Sequence, residues 1–293
     1  MSDQTTTDTP ALVPARVGVL GGGRMGAGIA HAFLLAGSRV DVVERDSASA
    51  GAAADRIRRS VVRSVERGAT SRSAAEVDAA LTVGTDLDVF AAAELVIEAV
   101  PEDRALKEDA LARIERTLPA ASALASNTSS ISIDALGAAL RRPDRLLGLH
   151  FFNPVPTSAL VEVVLGSATA PALADAARGW VAAIDKTAVT VRDSPGFASS
   201  RLGVMLGVEA IRMLEEGVAS AADIDTAMEL GYRHPMGPLR TTDIVGLDVR
   251  LGIAEELEAA FGERFAPPAL LRRLVAEGHL GRKSGSGFYE WSE

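Results

Sequence analysis

Short apolar runs rich in β-branched residues alternate with longer stretches of helical periodicity from Arg16 to about residue 192. The apolar runs predict strands at residues 16–20, 39–43, 81–83, 95–99, 123–126, 146–151, 161–165 and 188–191. The first two helices are predicted at residues 24–36, where Gly37 is a suitable C-cap, and at residues 47–67. Because the strands are apolar and alternate with helices, we predict a mainly parallel, doubly wound sheet covered on both faces.

The pattern changes after the Asp-Ser-Pro-Gly segment at residues 193–196. Helical periodicity predicts helices at residues 202–216, 220–231, 243–261 and 268–277, and no convincing strand run appears before the last residues. Ser220 and Asp223 resemble a capping box with a shorter acid. We therefore predict a Rossmann-type domain over residues 15–192 and an all-helical domain over residues 193–293.

The polar, Thr-rich start at residues 1–14 is predicted to be a disordered tail. It lacks the basic and apolar regions of a signal peptide, which favours a cytoplasmic protein. No apolar run approaches the roughly 18 residues of a membrane-spanning helix, so we expect no membrane association.

Composition excludes several classes of function. The 30 basic and 39 acidic residues give a net charge of −9, which argues against nucleic-acid binding. Cysteine is absent, so disulfides, thiolate catalysis and zinc–thiolate sites are excluded. The 4 histidines are too scattered to indicate a metal site, and we expect none. Lysine is rare, with Lys107, Lys186 and Lys283 among 30 basic residues, so each lysine is of interest.

A G-x-G-x-x-G motif, formed by Gly21, Gly23 and Gly26, lies between the first predicted strand and the first helix. In such a motif the glycines allow a tight turn, a close approach of a pyrophosphate and close helix–strand packing, and the helix N-terminus attracts the phosphates. Glu44 ends the next strand, where an acid binds the adenine ribose. A carboxylate there would repel a 2′-phosphate, so we predict NAD. The guanidinium of the adjacent Arg45 is able to bind such a phosphate, so NADP stays open as the alternative.

His150 ends a predicted strand, at the edge of the sheet where ligands bind in this fold class. Glu162 follows it in the next apolar run. Oxidation of an alcohol needs a base for the hydroxyl proton, and a histidine oriented by a carboxylate suits this role. A buried structural histidine beside an exposed glutamate is an equally good interpretation of the spacing. The Ser126–Ser130 segment is open to two interpretations as well, a substrate-binding loop or an ordinary helix-capping turn.

Taken together, nine segments resemble the short-chain L-3-hydroxyacyl-CoA dehydrogenases over nearly the whole chain. They are GGGRMGAGIA (21–30), EAVPED (98–103), ASNTSS (125–130), GLHFFNPV (148–155), LVEVV (160–164), DSPGF (193–197), DIDTAMELG (223–231), HPMGPL (234–239) and GRKSGSGFY (281–289). The resemblance implies NAD-dependent oxidation of an (S)-3-hydroxyacyl-CoA, such as 3-hydroxybutyryl-CoA. It also implies a homodimer that forms through the helical domain.

The resemblance implies a role for individual residues. His150 matches the catalytic base, Glu162 its orienting partner, and Ser129 the serine that binds the substrate oxygen and approaches the nicotinamide. The positions that match cofactor contacts are Gly21, Gly23, Arg24, Met25, Gly26, Glu44, Glu102, Lys107, Ser129, Asn153 and Lys283. Ser60 and Arg67, together with Ser129, match positions that bind the CoA substrate. Two of the three lysines thus fall on cofactor positions, where we expect a compact ammonium to be required.

One departure from the family pattern concerns the substrate. Ser200 stands where the family carries an asparagine that reaches the substrate region, and serine has no amide donor. Three alternatives stay open: a water or a neighbouring side chain replaces the missing donor, the substrate differs from that of the family, or catalysis is slower.

Two other functions stay open at this stage. Relatives with this fold oxidise free hydroxy acids such as sugar acids or carnitine, and a non-catalytic NAD-binding protein would keep the glycine turn alone. The presence of His150, Glu162 and Ser129 together argues against the second.

Overall fold

The computed structural model describes residues 13–292. The chain divides into two compact units, with the division between Asp193 and Ser194, one residue after the predicted one. The predicted tail lies outside the described residues, except for Val13 and Pro14. Pro14 is buried, and its carbonyl accepts a 2.7 Å hydrogen bond from the Ser38 hydroxyl. The first domain therefore begins at least one residue before the predicted residue 15.

The first unit is built on an eight-stranded sheet with the strand order β3-β2-β1-β4-β5-β6-β7-β8. The strands are β1 (Arg16–Leu20), β2 (Arg39–Val43), β3 (Leu81–Gly84), β4 (Leu95–Glu98), β5 (Ala123–Ser126), β6 (Leu146–Phe151), β7 (Leu160–Leu165) and β8 (Thr187–Arg192). Every neighbouring pair is parallel except β6 and β7, which run antiparallel. The predicted doubly wound, mainly parallel sheet is confirmed.

Within the described residues of this unit, six α-helices surround the sheet. They are α1 (Arg24–Leu35), α2 (Ser47–Glu66), α3 (Ala74–Asp78), α4 (Arg104–Thr117), α5 (Ile133–Gly137) and α6 (Pro171–Ala183). Side-chain caps start most of them: Asp46 accepts from the Ser49 amide before α2, and Asp103 accepts from the Leu106 amide before α4. In contrast, α1 begins at Gly23 with no side-chain cap, so its first N–H groups are left for another acceptor.

The core of this unit lies between the sheet and its helices. Valines of β1 and β2 pack against Ile29 and Phe33 of α1, all of them fully buried or nearly so. Burial of such side chains stabilises the fold by roughly 1.5–3 kcal/mol each. This packing holds the N-terminus of α1 against the carboxyl end of β1.

The second unit is all-helical, as predicted. Its helices are α7 (Ser199–Glu215), α8 (Ala221–Tyr232), α9 (Pro238–Val245), α10 (Leu247–Phe261) and α11 (Ala269–Ala276). The single helix predicted over residues 243–261 is wrong. Gly246 caps the end of α9 and the start of α10. Its φ of +106° is a conformation that only glycine adopts without strain, and the chain changes direction there. Within the described residues, extended pairing in this unit is limited to isolated bridges near Ser286.

Helices long and apolar enough to cross a membrane are not found between residues 13 and 292.

His31 of α1 is expected to make the protein less stable in mild acid. Burial, followed by the nearby charges of Lys186 and Arg63, lowers the pKa of His31 to about 4, from 6.5 in the unfolded chain. As the pH falls through 6.5, the unfolded chain takes up a proton that the folded chain refuses until about pH 4. Since one pKa unit corresponds to about 1.4 kcal/mol, the free energy of unfolding falls by about 3 kcal/mol over this range.

Urea titrations of wild type and of His31→Gln from pH 7 to pH 4 measure this effect. Glutamine keeps a donor for the Ser64 hydroxyl, which lies 2.8 Å from Nε2 of His31, but does not titrate. Between pH 6.5 and pH 4, the free energy of unfolding of wild type should fall by about 3 kcal/mol relative to that of His31→Gln. A constant difference would show that His31 does not cause the acid sensitivity.

Candidate active site

The glycine turn between β1 and α1 has one side closed by protein and one side open. Gly21 has a φ of +94°, and a Cβ on it would lie 2.8 Å from the carbonyl oxygen of Ala99. A Cβ on Gly26 would lie 1.8 Å from the carbonyl oxygen of Gly21. A Cβ on Gly23 would meet nothing within 4 Å. The first and third glycines are therefore required by the fold itself, whereas the second leaves space beside the uncapped N-terminus of α1. This arrangement fits the pyrophosphate of a dinucleotide.

Glu44 is held beside this turn. Glu44 stands at the carboxyl end of β2, and its carboxylate accepts a 2.7 Å hydrogen bond from the amide of Gly22. Arg45 points its guanidinium at Asp46, 3.0 Å away, in an exposed ion pair. Arg56 of α2, which the sequence analysis missed, donates to the carbonyl of Gly22 at 2.7 Å and so braces the same loop. Glu44 is thus placed as an acceptor for ribose hydroxyls, and Arg45 already faces a carboxylate.

His150 and Glu162 lie directly opposite each other on the antiparallel strands β6 and β7. Opposed residues on such a pair point to the same face of the sheet. Nδ1 of His150 lies 2.8 Å from a carboxylate oxygen of Glu162, and the two residues are 5% and 1% exposed. The interpretation with an exposed glutamate therefore does not apply. With the Glu162 carboxylate accepting a hydrogen bond from Nδ1–H, Nε2 is the basic nitrogen of the ring.

Ser129 lies in the loop after β5, and this loop is anchored by Glu102. One oxygen of Glu102 accepts hydrogen bonds from the hydroxyl of Thr128 at 2.5 Å and from the amides of Ser129 and Ser130 at 2.8 and 3.2 Å. The backbone around Ser129 is therefore fixed. Its hydroxyl makes no hydrogen bond within residues 13–292 and is available to a ligand.

An ionic cluster formed by the buried Lys107 and Glu98 and the exposed Glu102 supports this loop. Lys107 of α4 is 1% exposed, and its Nζ lies 2.8 Å from Glu98 and 3.2 Å from Glu102. Burial opposes ionisation of Glu102, but Lys107 and the hydrogen bonds from Thr128 and Ser129 outweigh it and lower the pKa of this carboxyl. Lys107 thus supplies one positive charge between the two acids that shape the loop.

The ionic cluster extends to β5. Glu98, which the sequence analysis missed, is fully buried and accepts a 2.6 Å hydrogen bond from the hydroxyl of Ser126. Asn127, also missed, accepts a 2.9 Å hydrogen bond from the amide of Phe151 and so ties the ends of β5 and β6 together. The sequence does indicate a role for Glu98, the first residue of EAVPED, because an acid at the end of a buried apolar strand needs a hydrogen-bond or ionic partner.

The loop between His150 and Glu162 is held by Lys186, for which the sequence suggested no role. Its ammonium donates to the carbonyls of Val155 and Ser158 at 2.7 and 2.5 Å. Burial lowers the pKa of Lys186. Asn153, predicted to contact the cofactor, is exposed in the same loop, just after β6. Lys186 is therefore a structural residue of the turn that brings β7 back beside β6.

The two residues predicted to bind coenzyme A share one helix. Ser60 lies in α2 and Arg67 is its C-cap, so they are seven residues, or about two turns, apart and lie on the same face. Ser60 is half-buried and Arg67 is exposed. Neither side chain makes a hydrogen bond with the described part of the chain, so both are available to an anionic ligand.

The two predicted site residues of the second unit are Ser200 and Lys283. Ser200 lies in the first turn of α7 and is partly exposed. The ammonium of Lys283 lies 2.6 Å from a carboxylate oxygen of Asp248 in α10. Burial opposes ionisation of Asp248, but the hydrogen bond from Lys283 outweighs it and lowers the pKa of that carboxyl. Lys283 thus joins the C-terminal segment to α10, and its contact with the cofactor stays a prediction.

Comparisons with known proteins agree with these features. A family model described as the NAD binding domain of 3-hydroxyacyl-CoA dehydrogenase matches residues 16–194, and one described as its C-terminal domain matches residues 196–291. The 3-hydroxybutyryl-CoA dehydrogenase of Mycobacterium tuberculosis is 44% identical over 280 residues, which cover 94% of this chain and 98% of the relative. A probable 3-hydroxybutyryl-CoA dehydrogenase of Bacillus subtilis is 40% identical over 279 residues, covering 94% of this chain and 96% of the relative.

The same relationship is seen among solved structures. The crystal structure of (S)-3-hydroxybutyryl-CoA dehydrogenase from Ralstonia eutropha matches with a TM-score of 0.91 and 38% identity, and the match covers 96% of this chain and 100% of that chain. The glycine turn, the paired histidine and glutamate, and both family models therefore agree that this chain belongs to the 3-hydroxyacyl-CoA dehydrogenase family.

Proposed function

We propose that this protein is an NAD-dependent dehydrogenase that interconverts short-chain (S)-3-hydroxyacyl-CoA, such as 3-hydroxybutyryl-CoA, and 3-ketoacyl-CoA. The single observation that carries the proposal is the buried pair of His150 and Glu162, joined at 2.8 Å on adjacent strands. The pair stands at the edge where β1, β4, β5 and β6 all end, because these strands are parallel. The glycine turn is at this edge as well.

His150 acts as the general base. Its Nε2 takes the proton of the substrate's 3-hydroxyl, and in the reverse direction it returns that proton to the forming alcohol. Glu162, buried against Nδ1, holds the ring in this orientation and stabilises the imidazolium. The hydroxyl of Ser129, on its anchored backbone, orients the substrate oxygen. NAD, when bound, supplies the acceptor for the hydride that leaves C3.

Two groups of residues would hold the ligands. The open turn at Gly23, the N-terminus of α1 (which includes Arg24 and Met25) and Glu44 would bind NAD. Glu102, Lys107, Asn153 and Lys283 stay further candidates for cofactor contacts. Ser60 and Arg67 would bind coenzyme A, because an exposed guanidinium on one helix face suits its phosphates.

Ser200 places one limit on catalysis. A well-placed donor to a developing oxyanion contributes roughly 3–4 kcal/mol, and serine lacks the reach of an asparagine amide. Ser129 is therefore the chief candidate for a hydrogen bond to the substrate oxygen.

Reduction of acetoacetyl-CoA, followed by the loss of NADH absorbance, tests the proposed function. Free 3-hydroxybutyrate, L-gulonate and carnitine, assayed in the oxidative direction, serve as comparisons. Turnover of a free hydroxy acid without turnover of the CoA esters would contradict the proposal. Binding of NADH without turnover of any of these compounds would identify a non-catalytic protein.

The cofactor preference is expected to be strong. The Glu44 carboxylate would repel the 2′-phosphate of NADPH, and Arg45 is paired with Asp46. We expect kcat/KM for NADH to exceed that for NADPH by at least about tenfold, since juxtaposed like charges cost several kcal/mol. Glu44→Ala should narrow this ratio. An NADPH preference in the wild type would show that Arg45 or another cation binds the phosphate.

We also propose a homodimer through the helical unit and a cytoplasmic location. Exposed apolar side chains of that unit include Leu202, Leu206, Val245 and Val249. Contiguous exposed apolar patches commonly mark protein interfaces, and Leu202 and Leu206 are neighbours on one face of α7. Sedimentation equilibrium measures the mass directly. A cytoplasmic location fits an enzyme that uses a dissociable dinucleotide and a CoA ester.

A further inference from the structure

Asn127 directly follows β5 and lies against the strand that carries His150. Its backbone amide donates to the carbonyl of Glu98 at 2.9 Å, which continues the pairing of β5 with β4 by one residue. Its side-chain oxygen accepts a 2.9 Å hydrogen bond from the amide of Phe151. That amide belongs to the peptide bond between His150 and Phe151. The side chain of Asn127 therefore lies next to the backbone of His150, at the edge of the sheet where ligands bind.

The contact with Phe151 fixes the direction of the side-chain amide. A backbone amide only donates, so the atom that faces it is Oδ1, and Nδ2 points away from it. Nδ2 makes no hydrogen bond within residues 13–292. Asn127 is 8% exposed, but its Nδ2 is not one of the fully enclosed side-chain atoms without a partner. Asn127 thus presents two N–H donors, in one fixed direction, to whatever occupies this edge.

The strand order favours the substrate as that occupant. In the order β1-β4-β5-β6, the glycine turn follows β1, whereas the side chain of Asn127 lies between β5 and β6. Neighbouring strands are about 4.8 Å apart, so roughly 12 Å of sheet separates this side chain from the turn. His150 is on the adjacent strand. Because His150 is the base for the substrate hydroxyl, the group beside it at this strand is the reacting end of the substrate.

This end of the substrate carries two oxygens, and one of them already has its partners. Nε2 of His150 and the hydroxyl of Ser129 serve the 3-oxygen, and a carbonyl oxygen accepts through two lone pairs. The thioester carbonyl belongs to the same three-carbon unit and has no donor so far. Placing this carbonyl in the site without a hydrogen bond would cost free energy, because it gives up water.

We propose that the side-chain amide of Asn127 donates a hydrogen bond to the thioester carbonyl oxygen of the substrate. This inference rests on the proposed function and adds to it a residue that determines specificity. With the 3-oxygen held by His150 and Ser129 and the thioester carbonyl held by Asn127, rotation about the bonds between C1 and C3 is restricted. C3 is then kept in one orientation for hydride transfer.

Two ketones that differ in one carbonyl test the proposal. In S-(3-oxobutyl)-CoA, a thioether analogue of acetoacetyl-CoA, a methylene replaces the thioester carbonyl while the ketone at C3 and the coenzyme A are kept. The ketone of the analogue is less activated, so the quantity to compare is the ratio of kcat/KM for the two compounds within each protein. The inhibition constant of the analogue against acetoacetyl-CoA gives the same comparison for binding.

Asn127→Asp is the informative variant, because it keeps an oxygen that accepts from Phe151 and removes the N–H donors. We expect kcat/KM for acetoacetyl-CoA to fall by about 10- to 100-fold, the range for a polar group left without its partner. The value for the analogue should be little changed, as should the affinity for NADH. Asn127→Ala, which adds no charge, should show the same selective loss together with a lower melting temperature.

Ser122→Ala is the matched control at the other end of β5. The hydroxyl of Ser122 donates to the carbonyl of Ala93 at 2.7 Å, and the residue is 6% exposed, so it joins this strand to the chain before β4 much as Asn127 joins it to β6. Its loss should lower the melting temperature and leave the ratio between the two ketones as in wild type.

Three results would overturn the proposal. An equal loss on both ketones in the Asn127 variants assigns the amide to the 3-oxygen or to the fold. Wild-type kinetics in Asn127→Asp leaves only the contact with Phe151. A selective loss of NADH affinity assigns the donors to the cofactor. Failure of the proposed function is distinct, because wild type would then not reduce acetoacetyl-CoA, whereas failure of this inference leaves that reaction intact.

Discussion

The substitution His150→Ala is expected to lower kcat by about 10²- to 10⁴-fold without changing the affinity for NADH. The loss follows from the geometry of the pair, because Nε2 of His150 is the basic nitrogen of the ring once Nδ1 faces Glu162 at 2.8 Å. Without the imidazole, the hydroxyl proton has no acceptor when the hydride leaves. Steady-state kinetics in both directions and NADH titration by fluorescence measure the two effects separately.

A second substitution distinguishes the roles within the pair. Glu162→Gln keeps a hydrogen-bond partner for Nδ1 but removes the negative charge that stabilises the imidazolium. We therefore expect a smaller fall in kcat than in His150→Ala, again with normal NADH binding. Near-normal turnover by His150→Ala would refute the role of this histidine, and weak NADH binding in either variant would show a structural effect instead.

The substitution Lys107→Met is expected to lower the free energy of unfolding by about 3–5 kcal/mol. Methionine fills a similar volume, but it leaves the fully buried carboxylate of Glu98 without a counter-charge. Glu102 loses the same cation, and its hydrogen bonds position the backbone of Ser129. Urea unfolding measures the loss of stability, and we expect KM for NADH to rise as well.

The matched control for this change is on the same helix. Arg104 pairs with Glu108 on the exposed side of α4 at 2.7 Å, so Arg104→Met should cost no more than about 0.5 kcal/mol. The double variant Lys107→Met/Glu98→Gln should recover part of the lost stability, because the orphaned charge is removed with its partner. Equal stability of Lys107→Met and Arg104→Met would show that the buried cluster does not stabilise the fold.

The central strands could be predicted because a buried strand of a parallel sheet is mostly apolar, and the more exposed edge strands β3 and β8 could be predicted from their short runs with β-branched residues. Each of the eight predicted strands is present within one residue at either end. The helix predicted over residues 243–261 was wrong because the helical periodicity continues through Gly246, while the backbone there turns to a φ of +106°. Asp243 stabilises this break by accepting hydrogen bonds from the C-terminal segment, a contact between residues more than forty positions apart.

The pairing of His150 with Glu162 could not be derived from their spacing. It depends on the reversal that makes β7 antiparallel to β6, and Lys186 holds the loop that makes this reversal. The cluster around Lys107 was hidden for a similar reason. Lys107 and Glu102 were singled out as cofactor positions, but their pairing with Glu98 was not predicted, because the three residues come from β4, the following loop and α4.

The sequence by itself determined the alternation of strands and helices, the glycine turn and the acid that follows it, because these depend on local periodicity and on backbone conformations open to glycine. It also determined the family, through motifs spread over the chain. Only the tertiary structure decided which charges are neutralised. Lys107 pairs with the buried Glu98 and the exposed Glu102, while the buried Arg250 has no ion pair within residues 13–292. The energy of a buried charge depends on distant parts of the chain that folding brings within a few ångströms, and local pattern does not contain that information.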